Sequence, residues 1–228
     1  MRRSEVNKIV RDAEAFIASF SVKLPPFARW SPAELKANLA SAPTILAHRL
    51  GWDITDFGQG KFADYGLVLF TARNGAAENL SKGKGMVYAE KVMISRDKQY
   101  SPMHRHNIKS EDIINRGGGK LVLELFSAKP DGSIDPEAEV RVYTDARERR
   151  LPAGAKLTLE PGESVTLHPN HWHGFWGDKD VLIGEVSSVN DDLTDNIFRD
   201  PIGRFSKIEE DEPPVHLLVS DYDTWLKG

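Results

Sequence analysis

The sequence predicts a mainly β protein, an antiparallel sandwich or barrel with an N-terminal α-helical extension. Three observations lead there. Apolar residues recur at spacings of three and four only near the start of the chain. From about residue 60 to 190, short apolar or alternating runs are cut by Gly and Pro turns, the pattern of all-β folds. The chain has 228 residues and neither an internal repeat nor a low-complexity segment, which suits one large domain. It is read as a single domain, with residues 1–45 as the helical extension and 60–190 as the barrel core. Residues 191–228 are read as a tail packing near the barrel mouth.

The elements follow in order. Val6, Ile9, Val10, Ala13, Phe16, Ile17 and Phe20 form one helical stripe, ended by Pro25-Pro26. A second helix opens at Ser31-Pro32-Ala33-Glu34, with serine as cap, proline in the first turn and glutamate three residues on; it ends near Ala40. Strands are predicted at 66–71 and 87–94, and at 121–126 before the Pro130-Asp131-Gly132 turn. Further strands fall at 140–143, 156–159, 164–167 and 181–186. Gly117-Gly118-Gly119 precedes no helix and no Lys-Ser/Thr pair, so it marks a tight bend rather than a phosphate loop.

Composition narrows the function. A net charge of −4 argues against a nucleic-acid partner. The absence of cysteine excludes disulfides, thiolate metal sites and thiol nucleophiles. No apolar run reaches membrane-spanning length, and the first residues do not read as a signal peptide. A cytoplasmic protein with no membrane partner is expected.

The chemistry concentrates in two clusters. His104 and His106 stand one residue apart, so on a strand both project to one face, and Glu111 follows after a turn. The second cluster holds His168, His171 and His173. Two imidazoles, a carboxylate and one imidazole from this second cluster would bind Mn, Fe, Co, Ni or Zn with coordination positions left open. His48 and His216 read as ordinary hydrogen-bonded or solvent-facing histidines.

The run His104-x-His106, Glu111, Gly117, then Pro161-Gly162-Glu163 and His173, resembles the two motifs of the cupin family, whose double-stranded β-barrels (jelly rolls) hold a metal inside. Longer segments resemble the D-lyxose isomerase family within it: Gly51-Trp52-Asp53-Ile54-Thr55-Asp56-Phe57-Gly58, Ala89-Glu90-Lys91, residues 111–119, Phe175-Trp176-Gly177, residues 184–192, Gly203-Arg204-Phe205 and residues 208–214. In that family a histidine followed by x-Phe-Trp completes the site, which implies His104, His106, Glu111 and His173 as metal ligands. The resemblance implies an aldose–ketose isomerase acting on D-lyxose and D-mannose, working with Mn²⁺ (or Co²⁺, Fe²⁺, Ni²⁺ or Zn²⁺) as a homodimer.

Such a reaction moves hydrogen between C1 and C2 of an open-chain sugar, and needs a base and a nearby cation. Glu209 or Glu210 is the expected base, provided the tail folds over the barrel mouth, and Lys91 the proton donor or oxygen stabiliser. A hydride shift is the competing route. Asp191, within the 190–192 segment, and Arg204 are expected to bind sugar hydroxyls. Trp52, Trp172, Phe175 and Trp176 are expected to offer apolar faces. The alternatives are another metal-dependent cupin enzyme, an epimerase or dioxygenase, or a non-catalytic sugar-binding cupin.

Overall fold

The computed structural model describes residues 1–226. The chain runs through α1 (Arg3–Ser19), α2 (Pro32–Asn38), β1 (Gly51–Thr55), β2 (Leu67–Asn74), β3 (Tyr88–Ser95), β4 (Ser101–Arg105) and β5 (Glu111–Ala128). It continues through β6 (Ile134–Asp135), β7 (Val140–Thr144), β8 (Arg147–Leu151), β9 (Ala155–Leu159), β10 (Ser164–Leu167), β11 (His171–Ser188) and β12 (Ile197–Phe198). Short helical turns at Pro26–Arg29, Thr44–Ala47, Ala77–Leu80 and Tyr222–Trp225 complete it.

The strands pair antiparallel throughout, and two 18-residue strands, β5 and β11, organise them. Their distal halves, Glu111–Gly118 and Val181–Ser187, pair with each other inside a sheet ordered β1-β2-β3-β11-β5-β10-β7-β8. Their other halves, Lys120–Ser127 and His171–Asp178, pair in a second layer with β4, β9 and β12. Ile113 and Ile183 of the first layer meet Leu121, Leu123, Leu125 and Phe175 of the second in one apolar core.

Both long strands turn the corner between layers where the three glycines lie. Gly118 has φ +93°, and a Cβ there would sit 2.2 Å from the Asp180 carbonyl oxygen; at Gly119 it would sit 2.0 Å from that of Asp178. Only a residue without a side chain lets β5 and β11 approach this closely. Gly118→Ala is therefore expected to cost about 1–3 kcal/mol of stability through overpacking and backbone strain. Urea unfolding checks this, and an unchanged midpoint contradicts it.

The strands of the first layer bury both faces. Leu67, Leu69 and Met93 point into the barrel, while the alternate residues Val68, Phe70 and Ile94 point outward. Val6, Val10, Ala13 and Ile17 of α1 cover that outer face, and each buried Val or Ile contributes about 1.5–3 kcal/mol. α2 starts at Ser31, whose hydroxyl accepts from the Glu34 amide while Glu34 accepts from the Ser31 amide.

Several strand assignments differ from the sequence reading, among them the short β6 and β12, which it did not include. β5 and β11 run well beyond the predicted 121–126 and 181–186, because the glycine corner bends them without breaking them. β1, at Gly51–Thr55, lies before the expected start of the barrel core, and β8 is missing from the prediction because Arg147-Glu148-Arg149-Arg150 shows no apolar pattern. The tail passes the pocket with residues 192–204 and then leaves it. Glu209 bridges to Arg2, and Leu218 runs alongside Trp52. Lys227 and Gly228 of the predicted tail lie outside the described residues.

Candidate metal centre

Strand pairing assembles the centre. His104, next to last in β4, lies directly opposite His173 on β11, and their rings lie 4.1 Å apart between centroids. His106 follows β4, and Glu111 is the first residue of β5. The ligand atoms of His104, His106 and His173 all lie within 4.8 Å of one another. Glu111 Oε1 lies 3.2 Å from His173 Nε2 and 3.5 Å from His106 Nε2.

Each imidazole is oriented by a backbone carbonyl. Nδ1 of His104 faces Pro102 O at 2.8 Å, Nδ1 of His106 faces Asp195 O at 2.5 Å, and Nδ1 of His173 faces His171 O at 3.1 Å. A carbonyl only accepts, so Nδ1 carries the proton and Nε2 presents its lone pair inward. His106 Nε2 and Glu111 Oε1 are buried with no hydrogen-bond partner among the described residues. Leaving such atoms unsatisfied costs about 1–3 kcal/mol each. Donors bound about 2.1 Å from one ion at right angles sit about 3 Å apart, close to the separations found. Three imidazoles and a carboxylate thus fit a first-row divalent ion with room for further oxygen ligands.

The titration behaviour agrees. Burial lowers the pKa of His104 well below its ordinary value, with His173 and His106 adding to the effect. Burial, then Lys109, lowers that of His106. Burial opposes ionisation of Glu111, but Lys109 and His106 outweigh it and hold the carboxyl well below its usual range. His104, His106 and Glu111 are thereby kept in their metal-binding protonation states.

A row of alternating charges leads away from Glu111. Lys109 Nζ lies 2.7 Å from Glu111 and 3.0 Å from Glu185; Lys91 lies 3.5 Å from Glu185 and 3.9 Å from Asp192. Arg204 lies 3.4 Å from Asp192 and 2.8 Å from Asp53. Lys91 Nζ also donates to Asn190 Oδ1 at 2.5 Å. Burial works against the charges of Lys109, Glu185, Asp192 and Arg204, and their neighbours overcome it. Glu185 is lowered by Lys109 and Lys91, Asp192 well below the carboxylate range by Arg204 and Lys91, and Lys109 is raised by Glu111 and Glu185. At Asp53 burial prevails over Arg204 and the pKa rises.

The pocket beside the imidazoles takes in Lys91, Arg204 and Phe175 from the predicted set. It does not take in Glu209 or Glu210, the residues expected to supply the base. Glu210 forms an ion pair at 2.6 Å with Arg3, which is fully buried at the start of α1 and also holds Asp221. The Glu209 backbone pairs with the same end of α1. Trp52 also lies outside the pocket. Strand alternation points it outward to Phe70 and the Ala28 carbonyl, while its neighbour Asp53 meets Arg204. Asp191 caps the amides of Leu193 and Thr194 away from the pocket, and Asp192 faces it instead. Trp172 bonds the Gly132 carbonyl, and Trp176 packs on Tyr100. His171 and His168 contact each other outside the cluster.

Lys109, Glu185, Asp195 and Asn196 escaped the sequence reading. Glu185 shares the inward phase of β11 with Ile183, so alternation was an available signal for it, whereas Lys109 sits in the loop two residues before Glu111, where no strand period applies. Asp195 and Asn196 lie in a loop with no periodicity to reveal them.

His171 gives a pH test. Burial, aided by His168 and His173, lowers its pKa to about 4, against about 6.5 in an unfolded chain. Between those values the unfolded chain takes up a proton that the folded chain refuses, so stability rises with pH across the window. His104 and His106 shift the same way. The depressed carboxylates lose their contribution only below about pH 4. Metal-free protein is expected to show a lower urea midpoint at about pH 5 than at about pH 7; equal midpoints contradict this.

A jelly-roll barrel with three imidazoles and a carboxylate converging on its interior defines the cupin class. Within it, the chain belongs to the D-lyxose isomerase family, whose model matches residues 1–222. The D-lyxose/D-mannose isomerase of Serratia proteamaculans is 48% identical over 227 residues, covering 97% of this chain and 98% of that protein. The D-lyxose/D-mannose isomerase of Escherichia coli O157:H7 is 44% identical over 226 residues, with 97% and 98% covered. The fold matches the crystal structure of Acinetobacter sp. DL28 L-ribose isomerase in complex with L-ribose, with a TM-score of 0.61 at 15% identity over 92% of this chain and 98% of that chain. Likeness at that identity speaks to the fold alone. No helix among the described residues is long and apolar enough to cross a membrane.

Proposed function

We propose that this chain interconverts D-lyxose with D-xylulose, and D-mannose with D-fructose, by proton transfer through an enediol. Full-length identity of 48% and 44% to two D-lyxose/D-mannose isomerases carries the reading. His104, His106, Glu111 and His173 would hold the ion, with Mn²⁺ first and Co²⁺, Fe²⁺, Ni²⁺ or Zn²⁺ as alternatives. When bound, it would polarise the sugar carbonyl and orient the neighbouring hydroxyl.

Glu185 takes the part first expected of Glu209 or Glu210. Its contacts with Lys91, Lys109 and Ser187 all fall on Oε1, which leaves Oε2 to take a proton. The C2 proton passes to that carboxylate and its electron pair forms the C1–C2 double bond, while Lys91 gives a proton to O1. Glu185 then returns its proton to C1, and Lys91 recovers one from the O2 hydroxyl as the C2 carbonyl forms. Lys109, fixed between Glu111 and Glu185, keeps both carboxylates ionised.

Among the described residues, Arg204 Nη1 and Asn196 Oδ1 are buried in the pocket lining without hydrogen-bond partners, a donor and an acceptor for sugar hydroxyls; Phe175 gives an apolar wall. Asn196→Ala is expected to raise KM for D-lyxose by about five- to thirtyfold, a loss of about 1–2 kcal/mol. An unchanged KM contradicts that role. The proposed working form is a cytoplasmic homodimer, which light scattering checks by giving twice the chain mass.

The direct test is to incubate the Mn²⁺-loaded protein with D-lyxose without oxygen and follow ketose. Ketose formation is expected. Sugar bound but returned unchanged contradicts the reading and favours a binding module.

A further inference from the structure

We infer that Asp195 is a positioning residue for the metal centre, holding one of its ligands and the loop that delivers another. The inference rests on the metal-holding reading above. It comes from a single residue bonding two parts of the site from outside it.

The loop between β4 and β5 carries His106 and Lys109 and delivers Glu111 at the start of β5, all within six residues. Apolar packing does little to hold its tip, since Ile108 is 66% exposed. The Asp195 carboxylate is buried there and accepts three successive backbone amides. Asn107 N donates at 2.7 Å, Ile108 N at 3.1 Å and Lys109 N at 2.9 Å. Successive amides aimed at one carboxylate form a concave anion site, and bonds to a charged acceptor are worth about 1.5–3 kcal/mol each. The carbonyl of the same residue receives His106 Nδ1. Asp195 thus sets the direction of the His106 lone pair through its backbone, and the path of the chain to Lys109 and Glu111 through its side chain. The Asp195 amide in turn donates to Asp191 O at 3.1 Å, which ties these contacts to the segment contributing Asp192 to the pocket.

Metal binding therefore depends on a residue that touches neither the ion nor the sugar. Outer contacts of this kind typically change metal affinity 10–100-fold. The test is titration of chelator-stripped protein with Mn²⁺ alone, reading free Mn²⁺ by its paramagnetic resonance. Asp195→Ala is expected to weaken binding by about 10–100-fold. The control is Asp135→Ala, which likewise removes a carboxylate accepting two loop amides, those of Glu137 and Ala138, and should bind as wild type does. Equal affinity in wild type and Asp195→Ala overturns the inference, as does an equal loss in the control. Wild type that binds no Mn²⁺ overturns the metal reading and this inference with it. Should Asp195→Ala fail to fold, hydrogen exchange on metal-free wild type decides the matter. Slow exchange at the Asn107, Ile108 and Lys109 amides supports the inference, and exchange at the rate of a free loop overturns it.

Discussion

Glu185→Gln is expected to lower kcat by about 10²–10⁴-fold, the usual worth of a positioned acid–base group, while the protein keeps its metal. The substitution preserves shape and removes the negative charge, and with it the ability to take a proton and the ion pairs with Lys91 and Lys109. Glu185 lies outside the imidazole cluster, and Lys109 retains Glu111 as a partner, so Mn²⁺ content should match wild type. Glu209→Gln and Glu210→Gln should keep kcat, because both residues belong to the contact between the tail and α1. Glu210→Gln should instead lower stability, since fully buried Arg3 would lose one of its two carboxylates. Steady-state kinetics with metal analysis of the three variants checks the set. Full activity in Glu185→Gln, or a collapse of kcat in Glu209→Gln, contradicts the assignment of the base.

His104→Ala or His106→Ala is expected to abolish metal retention, with affinity falling more than about 100-fold, since contacts outside the ligand shell alone are worth 10–100-fold. Activity falls with the metal and should return only in part at high Mn²⁺. His171→Ala should retain the ion, because only its backbone carbonyl supports His173. Metal loss in His171→Ala with retention in His173→Ala would reverse the choice of the fourth ligand.

The residues of the barrel interior were legible in the sequence because strand alternation is a strong signal. His104 and His106, and Lys91 in phase with Met93, all lie where period two puts them. The same rule, applied to Trp52, would have turned it away from the pocket and offered Asp53. The tail was not legible. Nothing in Glu209-Glu210-Asp211-Glu212 signals that Arg3, almost the whole chain away, would claim one of these acids and Ser4 another. Long-range ion pairs between loops leave no periodicity, and a charge run reads the same whether it faces solvent or a buried arginine. The length of β5 was hidden for a related reason, since three glycines look like a break in sequence and act as a hinge between two layers.

The central claim is that four side chains hold a divalent ion beside a carboxylate that carries a proton between C1 and C2. It is tested most directly by stripping the protein with chelator, restoring Mn²⁺ in deuterated water, and following D-lyxose by NMR. Ketose should appear only after the metal returns, with solvent deuterium at C1. Ketose formed at the same rate without metal, or none with any divalent ion, would contradict the account.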